Sequence, residues 1–231
     1  MKRIQKWIEK IMPVDRFLIA VFAFTFNSLV YSGARAIASD WKHHVLTSAI
    51  DERIPFLPIS LVIYFGCYIF WIINYVIIAK LEEERAYRFY FADFLSRIVC
   101  FVVFLLYPTT NIRPEIVGNG LWEQGMRFLY FIDEADNLLP SIHCLVSWFC
   151  YIGIRNVPSV SKAYQRLSCV AALLVFVSTL TTKQHVIWDV IAGALLAEIT
   201  FFIANHTKAY LYYKKFWEKV TQILFGKKAE V

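Results

Sequence analysis

The sequence predicts an all-α membrane protein: a bundle of six transmembrane helices with a short interfacial helix in its long outer loop. Three observations predict it. Of 231 residues, 58% are apolar and only 18% are charged, whereas soluble domains run to about 45–50% and about 25%, so something other than water must solvate the surplus. Apolar runs such as 56–79 and 186–204 reach the ~20 residues needed to cross a bilayer core. Seven Trp and thirteen Tyr suit a protein with rings at the headgroup level.

The expected spans are 16–34, 55–79, 89–107, 141–154, 167–182 and 185–204. The second is the most continuous, the third carries Asp93 and Arg97 in its first half, and the fourth is short. The basic N-terminus with small residues near 32–34 has the outline of a secretory signal peptide. Its charged region is long and the rest of the chain is strongly apolar, which favours an uncleaved first span. The connection 108–140 contains Leu121, Met126, Leu129 and Tyr130, a pattern for a short helix lying on the membrane. Residues 208–228 alternate basic and aromatic side chains and read as an interfacial helix or a solvated tail. With no internal repeat or low-complexity stretch, residues 1–231 parse as one integral membrane domain.

Basic loops stay cytoplasmic. Six spans put both termini on one side, and that side collects 18 of the 24 Lys and Arg, among them Arg16, Lys80, Arg85, Arg97, Arg155, Lys214, Lys227 and Lys228. The termini are therefore expected inside, with 108–140 and the 182–185 turn outside. The net charge of +6 belongs to this topology signal, so no nucleic-acid partner is expected. Oligomeric state is not legible. Cys67, Cys100, Cys144, Cys150 and Cys169 all lie in apolar segments without paired ligand spacing, so neither a disulfide framework nor a metal site is expected.

Three polar sites fall on the outer face. His185 and Asp189 are four apart, on one face of a helix. Asp189 can fix the imidazole tautomer and leave the other nitrogen as a nucleophile. Pro140 and Ser141 open the fourth span just before His143. Ser141 suits a cap or a phosphate-binding hydroxyl, and His143 can donate a proton to a leaving oxygen. Arg113 supplies a planar fork for phosphate oxygens, and Lys183 a point charge beside His185. Taken singly, each could be a helix-end hydrogen bond or a headgroup contact. Together they make a complete phosphoryl-transfer site. The loop carboxylates Glu115, Glu123, Asp133, Glu134 and Asp136 form no metal motif and are expected on a solvated surface.

In order and spacing these residues resemble the type-2 phosphatidic acid phosphatase superfamily. Its first motif, Lys, six residues, Arg-Pro, corresponds to Leu106 through Arg113-Pro114. Its second, Pro-Ser-any-His, corresponds to Pro140-Ser141-Ile142-His143. Its third, Ser-Arg, five residues, His, three residues, Asp, corresponds to Ser178-Thr179 through His185 and Asp189. The match covers roughly residues 90–205, the expected catalytic core. The resemblance implies a phosphohistidine on His185, polarisation by Asp189, protonation of the leaving group by His143, and a phosphate site of Arg113, Ser141 and Ser178, with no metal or other cofactor. Leu106 and Thr179 replace two motif cations, and Lys183 is placed to substitute for one. Such departures are similar to the inositol phosphorylceramide synthase-like branch. The expected activity is a lipid phosphate phosphatase acting on a membrane lipid substrate. The alternatives are a lipid phosphotransferase and a non-enzymatic lipid phosphate transporter or scaffold.

Overall fold

The computed structural model describes residues 2–226. Lys227 and Lys228 of the charge argument lie outside the described residues. The helices are α1 (Lys2–Glu9), α2 (Val14–Ala38), α3 (Ala49–Arg53), α4 (Leu61–Ala79), α5 (Glu83–Leu106), α6 (Leu121–Ile132), α7 (Ile142–Ile154), α8 (Lys162–Thr181), α9 (Ile187–His206) and α10 (Tyr210–Phe225). The only extended pairing among the described residues joins β1 (His44–Val45) to β2 (Thr109–Thr110) in parallel.

Local chemistry sets the boundaries. Pro13 precedes α2, where its missing N–H costs no helical bond. Pro58 opens a 3-10 turn that leads into α4. Ser161 caps α8 by accepting the Tyr164 N–H at 3.2 Å, and Ser48 with Asp51 forms a reciprocal capping box on α3.

Five helices are long and apolar enough to cross a membrane: α2, α4 with its preceding turn, α5, α8 and α9. The expected fourth span is α7, only 13 residues, or ~20 Å at 1.5 Å per residue against a ~30 Å hydrocarbon core. The chain ahead of it, Asp136 to Leu138 and Pro140, is buried in protein, a setting in which non-helical backbone is tolerated at membrane depth.

α5 is the hub, packed against α2, α4, α7, α9 and α10, with Tyr75, Phe89, Tyr90, Phe149 and Ile152 in the core between them. The outer faces are apolar too: Ile69, Ile72, Leu173, Val177, Leu195 and Phe202 are exposed. That pattern suits lipid rather than water. α6 buries Met126 and Leu129 against Leu61 and Tyr64 and exposes Leu121, Phe128 and Phe131.

Arg97 corrects the charge count. It is 1% exposed inside the bundle, paired with Asp93 at 2.8 Å, while Tyr75 donates to the same carboxylate oxygen at 2.6 Å. It contributes nothing to a loop charge. Arg16 and Arg85 of that group lie at one end of the bundle. Arg16 donates to the carbonyls of Ala79 and Leu81, both at 2.8 Å. Arg85 donates to those of Gly153 and Arg155, both at 2.9 Å. At the opposite end, Leu57 N–H meets the Thr181 carbonyl at 2.9 Å, and Arg35 pairs with Glu134 and with Asp136.

Candidate active site

That second end assembles from the last turn of α8. The N–H groups of Gln184 and His185 both donate to the Thr179 carbonyl, at 3.0 and 3.1 Å. Lys183 adopts φ 55°, a left-handed conformation that reverses the chain directly after the helix. α9 then starts at Ile187, so His185 stands before the helix and not on it. Its contact with Asp189 survives for a different reason from the one expected. Asp189 Oδ2 accepts the Val186 N–H at 3.0 Å, capping the first turn, and the same oxygen meets His185 Nδ1 at 3.2 Å. A carboxylate acceptor places the proton on Nδ1 and leaves the Nε2 lone pair free. Asp51 of α3 steadies the turn from outside, accepting the Ile187 N–H at 2.9 Å.

α7 is fixed against α9. The Ser141 N–H donates to the Asp189 carbonyl at 3.1 Å, and its hydroxyl accepts the Cys144 N–H at 3.3 Å. Gly193 lets the two backbones approach: a Cβ there would stand 2.6 Å from the Ser141 oxygen. The result is a histidine pair with ring centroids 6.0 Å apart. His143 is cradled by α4, its ring 4.4 Å from Tyr64, 5.5 Å from Trp71 and 6.0 Å from Tyr68.

Arg113 reaches in from the loop over the Tyr130 ring, 4.5 Å from its centroid. It donates to the Asp133 carbonyl at 2.9 Å and to Gln184 Oε1. Burial pulls its pKa down, only partly opposed by the neighbouring Asp133 carboxylate. Two cavities meet at this point. One, of about 260 Å³, is lined by His143, His185, Arg113, Asp133 and the α4 aromatics. The other, of about 430 Å³, is lined by Asp51, Glu52, Arg53, Asn111 and Lys183, again with Arg113 and His185.

The structure thus brings His143, His185, Asp189 and Arg113 together. Lys183 lies on the second cavity, its Nζ donating to the Asp51 carbonyl at 2.6 Å. Burial pulls its pKa down against the opposing charges of Asp51 and Glu52. Ser141 and Ser178 are buried and line neither cavity, and Ser178 spends its hydroxyl on the Val175 carbonyl at 2.8 Å. Leu106, at the first-motif cation position, is 80% exposed.

The loop carboxylates need a correction. Glu115 and Glu134 are exposed, but Asp136 is buried and Asp133 is half-buried within the site. Asp133 accepts the Tyr31 and Tyr64 hydroxyls, each at 2.7 Å. Sequence reasoning also missed Tyr64, Tyr68 and Trp71. Their signal is present: with Tyr75 they recur at helical spacing along an apolar span. Among the described residues, no group of three or more His, Cys, Asp or Glu is placed to hold a metal ion. The five cysteines are unpaired thiols.

Fold and site together define a polytopic helical protein with its polar side chains gathered at one end of the bundle, around two histidines. The chain matches the PAP2 superfamily over residues 29–203 of its 231. It belongs to that superfamily, whose members are in general phosphohydrolases. None of the curated proteins compared with the chain matches it.

Proposed function

We propose that the protein is a six-span membrane enzyme that removes phosphate from a lipid phosphate monoester or pyrophosphate through a phosphohistidine on His185. The observation that carries this reading is the pairing of His185 Nδ1 with buried Asp189 while His143 faces His185 across a single cavity that also holds Arg113. His185 Nε2 attacks phosphorus, and the bond to the lipid oxygen breaks. His143 in its imidazolium form gives that oxygen a proton. Asp189 stabilises the charge developing on His185. Water then attacks the phosphohistidine, His143 takes its proton, and phosphate leaves. Arg113, anchored by Asp133 and Gln184, presents its remaining N–H groups to the phosphoryl oxygens. Ser141 acts through position, by fixing α7 on α9. No step calls for a metal.

The lysines and arginines at the far end support a reading with the termini in the cytoplasm and the site on the outer face. The first cavity is walled by Ser28 and Tyr31 of α2 and by Tyr68 of α4, so an apolar tail entering between these helices from the lipid would reach it.

The second cavity favours one variant of this chemistry. Its 430 Å³ falls in the ~300–1,000 Å³ range of small-molecule sites, and its mixed lining sets Asp51, Glu52, Arg53, Asn111 and Lys183 among apolar side chains. It would suit a polar substituent on the transferred phosphoryl group, with an alcohol replacing water as acceptor. Phosphate release from a panel of lipid phosphates in EDTA, wild type beside His185→Ala, tests the main reading. Free phosphate from wild type alone supports hydrolysis. Transfer to an added alcohol with little free phosphate supports the variant, and full loss of wild-type activity in EDTA refutes the metal-free mechanism.

A further inference from the structure

His185 has a carboxylate behind it, and the geometry points to a second one serving His143. We propose that Asp133, acting through the Tyr64 hydroxyl, is a positioning residue that holds His143 as proton donor to the leaving oxygen. The inference rests on the phosphoryl-transfer reading above and deepens it.

The Tyr64 hydroxyl donates to Asp133 Oδ2 at 2.7 Å, which turns its oxygen lone pairs toward His143 Nδ1, 3.4 Å away. The Tyr64 side chain is 1% exposed, so water does not compete for this contact. The Tyr31 hydroxyl holds the other carboxylate oxygen at 2.7 Å, and Gln184 Nε2 approaches Oδ2 at 3.4 Å. With both oxygens engaged by α2, α4 and the turn before α9, the carboxylate is fixed in orientation. Burial pushes its pKa up, but the neighbouring His143 and the two tyrosine hydroxyls outweigh that and hold it below the usual carboxylate range.

A charged acceptor at the end of a hydrogen-bond chain polarises the chain. Tyr64 O therefore accepts from His143 Nδ1–H more strongly than a free phenol would. His143 is left presenting Nε2 beside the Tyr68 hydroxyl, 3.5 Å away, at the cavity it lines. In the first step the Nε2–H bond breaks and its proton goes to the leaving oxygen, which keeps the electron pair of the broken P–O bond. In the second step the Nε2 lone pair takes a proton from the attacking water. The Asp133 charge stabilises the imidazolium that the first step consumes and the second step forms again. The backbone carbonyl of the same residue accepts from Arg113 at 2.9 Å, so one residue sets both the proton donor and the phosphate clamp.

The test uses the full chain purified in detergent, with a long-chain alkyl phosphate and an alkyl-substituted nitrophenyl phosphate as substrates. The alkoxide needs a proton to leave, whereas the nitrophenolate does not. For Asp133→Asn and for Tyr64→Phe, kcat/KM on the alkyl substrate is expected to fall roughly 10-fold or more, part of the ~10²–10⁴ that general acid catalysis supplies, and on the aryl substrate by less than about 3-fold. Asp133→Glu restores part of the alkyl rate. A purely structural role would lower both substrates equally, so equal falls, or no fall, in either folded variant would overturn the proposal. Tyr64→Phe keeps the ring packed on His143 and reads the same chain if Asp133→Asn does not fold. His185→Ala separates the two claims. Activity surviving in it sinks the phosphoryl-transfer reading, while its inactivity together with equal falls sinks the Asp133 chain alone.

Discussion

Gly193→Ala is the mutation whose effect follows most directly from the packing. Gly193 lies on α9 against the first turn of α7. An added methyl group would stand 2.6 Å from the Ser141 carbonyl oxygen, 3.2 Å from the Leu145 nitrogen and 3.3 Å from the Cys144 Cβ. Ordinary contact begins at 3.4 Å, so from 2.6 Å the Ser141 carbonyl must recede by about 0.8 Å. Backbone, not a flexible side chain, has to move. That carbonyl accepts the Leu145 N–H at 2.9 Å, and the Ser141 N–H is bound to the Asp189 carbonyl at 3.1 Å, so α7 shifts as a unit and His143 with it. A misplacement of ~1 Å at reacting groups costs about 10²-fold, so kcat/KM is expected to fall roughly 10- to 100-fold. Overpacking also destabilises by about 1–3 kcal/mol. The assay is turnover per folded molecule in detergent, with a melting curve beside it. Gly66→Ala on α4 is the control, because its added methyl meets nothing within 4 Å. Gly193→Ala retaining wild-type kcat/KM would refute the claim that this contact sets the histidine spacing.

Three more substitutions probe separate parts of the site and bundle. Asp189→Asn removes the charge behind His185 and is expected to lower kcat by about 10²–10⁴-fold with little change in KM, as steady-state kinetics would read. Arg113→Lys keeps the charge but loses the planar fork, so KM for the lipid phosphate should rise by about 10-fold; an unchanged KM would remove Arg113 from the phosphate site. Asp93→Ala leaves Arg97 buried without its partner, at an expected loss of about 3–5 kcal/mol. Detergent melting should show it, while activity per folded molecule is retained.

Much of this was legible in the sequence because two periodicities carried it. Long apolar runs gave the spanning helices, and motif spacing brought His143, His185, Asp189 and Arg113 to one end of the bundle. The His185–Asp189 pair was right about the contact and wrong about its origin. Spacing of four suggests a helical face, but Val186 and Asp189 start the helix after His185, and only the backbone path reveals that. Arg97 misled because a basic residue inside the third span was counted with the loop charges, whereas its partner Asp93 sits one turn away on the same helix. Asp133 was hidden in an acidic run that composition assigns to the surface. What turns it inward are the hydroxyls of Tyr31 and Tyr64, contributed by helices 102 and 69 residues away in sequence. Lys183 was expected as a point charge beside His185, whereas its left-handed backbone accompanies an amine bound to the Asp51 carbonyl at the second cavity.

The central claim is that His185 carries the phosphoryl group. Brief mixing of detergent-purified protein with a lipid phosphate radiolabelled in its phosphoryl group, followed by alkaline denaturation and peptide mapping, tests it most directly. The account predicts an acid-labile, base-stable label on the peptide containing His185, present in Asp133→Asn and absent from His185→Ala. Turnover without any such label, or a label that persists in His185→Ala, would contradict it.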